Sequence, residues 1–585
     1  MESQGVEAYE FDSFRMELVS RRLLRDGQPV RLTTKDFDIL LLLVSNRGRV
    51  VTKEELMGHV WPEQFVEENN LTVRVSALRK LLGESHERAR YIQTVQGRGY
   101  RFVAKVRAVG AVRAGQVGRP APDMHRAVSS LAVLPLGLIA VDPHEKYLGQ
   151  GIADAIITKL GKIRRLRVPP TTAILRYSKP EIDLQEIGHK LGVDSVLTGQ
   201  VQKVGERIRV TVQLTSTQRW QVLWAEKFDE SFTNIFAVED RVSERVANTL
   251  VQGLSPGEQR ILSRRYTNST EAYRSYLEGR YFWNKRTEDG FKKGIRCFQQ
   301  AINFDPQFAL GHAGIALCYN LLASYGLLPP SECIPRTREA AARALELDET
   351  VADAHVALGH VKLMHDWDLP GAEEHLRRAT ELDTNNPTAH HWYSLYLRCL
   401  GRFDEALAAL GRAHELDPLS LIIKTAVAGT YYFARQYEVA ILKFREVLDL
   451  DPNFAPAYSI LSLSYAHRGM YEEAIAAARK SVAADTNPEA LVYLGFVHAM
   501  SGNRGAAMRV LAKLKKASKH QAVWSSHMAA IYSALGEKEQ AFALLEKAYE
   551  ERNLSMVALR VDQRFDNLRS DPRFAALVRR MGLTE

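Results

Sequence analysis

Apolar residues recur with a helical period in several parts of the chain. The stretch that bears most on function is Asn69 to Leu82, where Leu71, Val75, Leu78 and Leu82 fall at i, i+4, i+7 and i+11. That spacing stacks four side chains on one helix face and turns Asn69, Val73, Ser76 and Lys80 away from it. Two short runs follow, Tyr91 to Val95 and Tyr100 to Val103, joined through Gly97-Arg98-Gly99. Glycines on both sides of the arginine give the backbone freedom of a tight hairpin, so Arg98 is carried at its tip. A helix followed by a basic hairpin outlines a recognition helix and a wing.

Charge changes the picture in the same place. From residue 69 to 107 nine cations face two carboxylates, Glu84 and Glu87, for a net +7, whereas residues 1–68 carry 9 basic and 13 acidic residues and net −4. A cationic segment within an acidic surrounding is the footprint of a surface that follows phosphates.

The rest of this region completes a pattern: Gln28-Pro29-Val30-Arg31-Leu32-Thr33, then Lys35-Asp36-Phe37-Asp38-Ile39-Leu40-Leu41-Leu42-Leu43, then Val51-Thr52-Lys53-Glu54-Glu55-Leu56. Thr33 or Thr34 can cap a helix that buries Phe37, Leu40, Leu41 and Val44, and Thr52 with Glu55 fits a capping box. Leu56, Val60 and Trp61 are expected to close the core. Over residues 9–106 the chain resembles an OmpR/PhoB-type winged-helix DNA-binding domain, which implies a third helix in the major groove and a wing in the minor groove. By that resemblance Asn69, Asn70, Thr72, Arg74 and Ser76 are base-edge or groove-floor candidates, since Asn and Arg make bidentate contacts to adenine and guanine. Thr52, Lys53, Arg79 and Lys80 are phosphate-contact candidates that fix register, and Arg98 suits a narrow minor groove. Arg74 and Arg79 flank the buried stripe and could instead pair with Glu67 or Glu68. Several relatives carry arginines where this helix has Ser76 and Ala77, so a family target sequence does not transfer.

Residues 108–128, including Gly110, Gly115, Gly118, Pro120 and Pro122, have no period and are expected to be a linker. From 129 to 253 a buried-strand pattern, Leu131-Ala132-Val133-Leu134, precedes a helical stripe of Ile152, Ile156, Ile157 and Leu160. Alternation at Ile208, Val210, Val212 and Leu214 then indicates a strand, and the order predicts a mixed α/β layer. Through Ala132-Val133-Leu134-Pro135, Leu197-Thr198-Gly199 and Arg209-Val210-Thr211-Val212-Gln213-Leu214 this layer resembles a TolB-like domain, which brings no catalytic residue with it. Gly149-Gln150-Gly151 precedes a helix but lacks the third glycine of a dinucleotide fingerprint.

Beyond residue 265 the chain repeats itself. Asp417, Asp451 and Asp485 stand 34 residues apart, as do Ala406, Ala440 and Ala474. A period of 34 marks tetratricopeptide repeats, about eight of them over 265–554, with a capping helix expected over 555–585. The repeats are expected to form a separate stack with its own core. His355, His360 and His365 are five apart, about 140° around a helix, so they do not converge on a metal.

The 585 residues are 46% hydrophobic and 25% charged with net charge +9, which suits several globular domains and a local rather than general basic surface. Four cysteines without a CxxC pair exclude a disulfide framework or zinc cluster and point to a reducing compartment, the cytoplasm. The longest apolar run, Leu131 to Val141, is too short to cross a bilayer. This sets the chain apart from CadC-like regulators, which carry a membrane helix. The winged helix begins within about ten residues of Met1, too few for a receiver domain, so control is expected from the C-terminal side.

No Walker A loop, GxSxG elbow or HExxH occurs, and neither an enzymatic activity nor a cofactor is expected. The sequence therefore describes a multidomain chain: a winged helix-turn-helix (α+β), a small α/β TolB-like domain and an all-α tetratricopeptide-repeat solenoid. The leading expectation is a transcriptional regulator that binds double-stranded DNA, as a monomer or a homodimer, and takes a protein partner or effector through its repeats. The alternatives are a scaffold whose winged helix binds protein, and a signalling enzyme, since TolB-like and repeat segments also accompany nucleotide cyclases.

Overall fold

The computed structural model describes residues 8–17, 22–26, 28–30, 32–60, 68–84, 90–95, 97–109, 130–139, 145–177, 184–205, 207–218, 221–231, 235–251, 253–484, 489–518 and 523–583. The expected linker from Gly110 onward, Trp61, Glu67 and Asp485 lie outside the described residues, as do the side chains of Asn69 and Asn70. The chain divides into two compact units, Met1–Asp123 and Met124–Glu585.

The first unit opens with strands β1 (Ala8–Phe11), β2 (Phe14–Glu17), β3 (Arg22–Arg25) and β4 (Gln28–Val30), followed by α1 (Thr34–Ser45), β5 (Val50–Thr52), α2 (Lys53–Val60) and α3 (Glu68–Leu82). Strands β6 (Ile92–Val95), β7 (Gly99–Phe102) and β8 (Arg107–Val109) complete it. One sheet runs β4-β3-β2-β1-β8 and the other β5-β7-β6. Thr33, not Thr34, caps α1, its hydroxyl accepting from the Asp36 N–H at 3.3 Å. Thr52 and Glu55 form the reciprocal cap of α2 at 3.1 and 2.8 Å.

Leu71, Val75, Leu78 and Leu82 are all buried, against Phe37, Leu40, Val44 and Leu56. On α1 the burial is wider than the predicted stripe: Ile39 and Leu43 are fully buried while Leu41 is only half-buried. The helix is covered on more than one side, so its apolar face exceeds a single stripe. Phe11, Phe14, Tyr91 and Phe102 close the core edge to face, with Phe11 and Phe102 ring centres 5.1 Å apart.

The second unit begins with β9 (Leu131–Val133), β10 (Gly137–Ile139), α4 (Tyr147–Gly161), α5 (Thr171–Ile174) and α6 (Leu184–Leu191). Then come β11 (Ser195–Val204), β12 (Arg207–Ser216), β13 (Val222–Ser231), α7 (Ile235–Leu250) and α8 (Pro256–Leu262). Strands β10, β11, β12 and β13 are neighbours in that order, with β9 and β10 parallel to β11 and the two long hairpins antiparallel. This is the mixed α/β layer that the alternation indicated.

Eight helix pairs follow among the described residues: α9 (Thr270–Trp283) with α10 (Glu288–Phe304), α11 (Ala309–Ser324) with α12 (Pro330–Leu347), α13 (Ala352–Val361) with α14 (Leu369–Leu382), and α15 (Pro387–Cys399) with α16 (Phe403–Leu416). The remaining four are α17 (Leu421–Phe433) with α18 (Tyr437–Leu450), α19 (Ala455–His467) with α20 (Tyr471–Ala484), α21 (Glu489–Met500) with α22 (Arg504–Ala517), and α23 (Ser525–Ala534) with α24 (Lys538–Glu550). Ala406, Ala440 and Ala474 are fully buried where paired helices meet, which is why small residues recur there. A helical, tetratricopeptide-like region thus makes up the C-terminal part.

Two features differ from the sequence expectation. The repeats do not have a core of their own, because one apolar cluster runs from Leu131 to Leu583. The cause is α4: twelve of its 15 residues are buried, and Gly151 lets α9 approach so closely that a Cβ there would lie 3.2 Å from Leu277. In addition, only Pro572–Arg580 (α25) is an α-helix beyond the last pair; Leu554–Ala558 and Gln563–Leu568 are 3₁₀ turns. This segment does more than cover the end of the stack. Gln563 donates to the carbonyls of Tyr432 and Phe433 at the end of α17, at 3.1 and 2.8 Å, and Asp566 takes both terminal nitrogens of Arg435 at 2.8 and 2.9 Å.

Candidate nucleic-acid interface

Helix α3 is fastened through its apolar stripe, and that fixes what it presents outward. Thr72, Val73, Ser76, Ala77 and Lys80 are exposed, Val73 by 61%, the most of any large hydrophobic residue described. Asn69 and Asn70 occupy the first turn of the helix backbone. Val73 was not among the sequence candidates, although its position between Asn69 and Ser76 on the outward face was readable from the helical phase.

The two arginines of α3 are held from below. Arg74 donates to the Thr33 hydroxyl and to Asp36, each at 3.0 Å; Asp36 is nearly buried and also accepts from Thr33 at 2.5 Å. The partner is thus Asp36, across the helix-helix contact. Arg79 donates to the Ile92 carbonyl at 3.1 and 2.7 Å and to the Thr94 hydroxyl at 2.7 Å, which ties α3 to the wing strand β6.

The wing is set against the start of α2. Arg98 N–H closes the hairpin on the Val95 carbonyl at 3.0 Å, and the Arg98 carbonyl accepts from the Lys53 N–H at 3.3 Å. Gly97 has φ +71°, and at Gly99 a Cβ would fall 2.1 Å from the Val51 carbonyl, so the tip requires glycine at both positions. Thr52 pairs with Gly99 in the ladder. The geometry therefore brings Thr52, Lys53 and Arg98 together, and Arg79 links Lys80's helix to them. The Thr52 N–H and the Arg49 guanidinium hold the Glu55 carboxyl below its usual range, which keeps that cap anionic.

The charge surplus is smaller at the surface than along the sequence. Asp36 takes Arg74, and Asp12 takes Arg90 at 2.9 Å. Glu84 accepts from the backbone N–H groups of Arg90, Tyr91 and Ile92 at 2.7, 3.3 and 3.2 Å, so it pins the wing rather than cancelling a cation. Lys80, Arg98, Lys105 and Arg107 remain exposed.

Elsewhere, His355 meets His375 at 2.9 Å and His360 lies on Trp392 with ring centres 4.1 Å apart, which separates the three histidines as their spacing implied. Among the described residues no helix is long and apolar enough to cross a membrane.

Residues 27–102 match the family described as "Transcriptional regulatory protein, C terminal". Residues 127–245 match "HilA/YgeH-like transcriptional regulator, second domain". The transcriptional regulator HilA of Salmonella typhi is 25% identical over 417 residues, 70% of each chain. "Putative adenylate cyclase 3" of Rhizobium meliloti is 30% identical over 196 residues, 34% of this chain and 33% of that protein. The regulatory protein KdpE of Mycobacterium tuberculosis is 35% identical over 96 residues, 16% of this chain and 42% of KdpE. The N-terminal unit is accordingly an OmpR/PhoB-type domain, joined to a HilA-like regulator domain and to tetratricopeptide-like repeats. Both family matches are to regulatory, not catalytic, domains. The TolB-like likeness of the middle layer rests on its sequence motifs alone.

Proposed function

We propose that this chain is a sequence-specific transcriptional regulator of the cytoplasm, with α3 lying in the major groove of duplex DNA and the wing in the adjacent minor groove. The observation that carries this reading is that α3 turns Thr72, Val73, Ser76 and Lys80 outward while Arg79 ties the helix to the wing strand β6, and backbone contacts bring Thr52, Lys53 and Arg98 together at the wing tip. Asn69, Asn70, Thr72 and Ser76 supply donors and acceptors for base edges, and Val73 an apolar contact for a thymine methyl. Lys53, Lys80 and Thr52 hold phosphates, and Arg98 enters the minor groove. Arg74 and Arg79 serve the same face indirectly, the first by seating α3 on α1 and the second by setting the wing angle.

Residues 124–585 provide the input, through a protein partner or an effector. Homodimers on adjacent half-sites fit such a reader, since half-site spacing then follows from symmetry. Selection of duplexes from a random pool by residues 1–123 tests the reading. A defined motif is expected, and Asn70→Ala is expected to relax one position by roughly 1–3 kcal/mol. Enrichment of no motif, with binding instead to a protein partner of the repeats, would support the scaffold.

A further inference from the structure

A cavity of about 120 Å³ with a mixed polar and apolar wall lies within the second unit, bounded by α4 and the segment leading to α5 on one side and by α9, α13 and the α14–α15 connection on the other. A cavity of about 150 Å³ accommodates benzene, so this one suits a molecule of a few heavy atoms. Most of its polar wall is already committed. Arg280 pairs with Asp154 at 2.9 Å and with Asp353 at 3.4 Å, Asn386 donates to Asp353 at 3.2 Å, and Asn385 donates to the carbonyls of Gly161 and Leu166 at 2.6 and 3.0 Å.

Arg286 is not committed in this way. It occupies the turn between the helices of the first pair with φ +54°, in the left-handed region. The corresponding turns of four later pairs use glycine, Gly401, Gly469, Gly502 and Gly536, with φ between +74° and +77°, while that of the third pair uses Trp367 at +58°. The turn of the fifth pair also places an arginine there, and Arg435 holds Asp566 with two hydrogen bonds. Arg286 lines the cavity and lies over Trp283 at 3.7 Å, with no carboxylate within salt-bridge distance among the described residues. A side chain in the left-handed region costs backbone strain that glycine avoids. The Trp283 ring nitrogen, in a residue only 8% exposed, also lacks an acceptor among the described residues.

Asp383 lines the same cavity. The equivalent residue at the end of the preceding pair, Asp348, is neutralised by Arg264 at 2.7 Å, but Asp383 accepts only the Asn385 N–H at 3.1 Å among its described contacts. Burial pushes its carboxyl up to about 6, partly offset by Lys162 and Arg280. The cavity thus offers a guanidinium stacked on Trp283 without a carboxylate partner and a carboxylate with spare acceptor capacity, with Tyr276, Leu317 and Val356 supplying apolar wall.

We propose that this cavity binds a small organic acid that also carries a hydrogen-bond donor, an α-amino or α-hydroxy acid, with Arg286 taking its carboxylate and Asp383 its ammonium or hydroxyl. The proposal rests on the reading of residues 124–585 as the input unit and names the ligand class of that input.

Thermal melting of the full chain without DNA tests it, so that failure of DNA binding and failure of this site are read separately. The probes are the twenty α-amino acids, lactate and malate, with acetate and methylamine as single-group controls. At least one amino or hydroxy acid is expected to raise the transition of the larger unit by roughly 2–3 °C at a hundredfold excess over its Kd, and the controls are not. Which set responds identifies the donor as ammonium or hydroxyl. Arg286→Gly, which relaxes the strained turn, is expected to melt no lower than the parent yet lose the shift, and Asp383→Asn to lose it as well. No response to any probe, an equal response to acetate, or a response that survives Arg286→Gly overturns the proposal. So does an Arg286→Gly protein that melts several degrees lower, since Arg286 would then be holding the turn.

Discussion

Replacing Arg74 by alanine separates the support of the interface from its readers. The guanidinium is about one-third exposed, whereas the Asp36 carboxylate that it holds is 8% exposed. Without it, Asp36 retains the Thr33 hydroxyl and loses its countercharge. A fully buried pair broken on one side costs about 3–5 kcal/mol, and an exposed pair at most about 1 kcal/mol. The partial exposure of Arg74 and the surviving Thr33 bond place this case between them, at roughly 1–3 kcal/mol. For a domain of this size each kcal/mol moves the transition by about 4–8 °C, so Arg74→Ala in residues 1–123 is expected to lower the midpoint by roughly 5–20 °C. Circular dichroism melts measure it, and the double variant Arg74→Ala/Asp36→Asn should recover part of the loss because no stranded charge remains. Arg74→Lys should fall between, since an ammonium lacks the planar fork that reaches Thr33 and Asp36 together. A variant that melts within about 1 °C of the parent while DNA affinity drops would show that Arg74 is a reader and that its tie to α1 carries no energy.

Arg98→Ala should leave the melting curve unchanged and reduce the slope of log K against log salt by about 0.9, because a cation seated in the narrow minor groove also displaces counterions; an unchanged slope removes Arg98 from the interface. Ending the chain at residue 264 should produce an aggregating protein that binds hydrophobic dyes, because it removes α9, with Tyr273, Tyr276 and Leu277, and uncovers the buried face of α4 around Gly151 and Ala155; a monodisperse, cooperatively melting product would contradict the shared core. Burial depresses His360 and His527 to about 3, below the value near 6.5 of the unfolded chain. The unfolded state therefore takes up protons first, and stability is lost as pH falls from about 6.5 towards 3, by up to about 1.4 kcal/mol per pH unit for each histidine. Urea midpoints at pH 7 and pH 5 measure this, and His360→Phe, which keeps the stack on Trp392, should make the dependence shallower; an unchanged dependence means that His360 does not contribute.

What the sequence reveals and what it hides divide by range. The α3 stripe, the Gly97-Arg98-Gly99 tip, the Thr52 and Glu55 cap and the 34-residue step between Asp417 and Asp451 are local patterns set by backbone geometry, and each has its counterpart in the structure. The partner of Arg74 is 38 residues away on another helix, and nothing in the spacing selects Asp36 over a nearer glutamate. The turn of Gln563 onto Tyr432 and Phe433, 131 and 130 residues distant, is equally invisible, as is the burial of α4 by α9. Val73 is the instructive middle case. Its outward phase was legible, but its degree of exposure depends on what covers the helix, and only the fold supplies that.

The most direct measurement of the central claim is fluorescence anisotropy of labelled duplex DNA titrated with residues 1–123 at several salt concentrations. The account predicts binding whose log K falls linearly with log salt, with a slope of about −3 to −5 if Lys53, Lys80, Arg98 and neighbouring cations such as Lys105 each neutralise a phosphate. Negligible anisotropy change at both low and moderate salt, from a protein whose melting curve shows it folded, would contradict it.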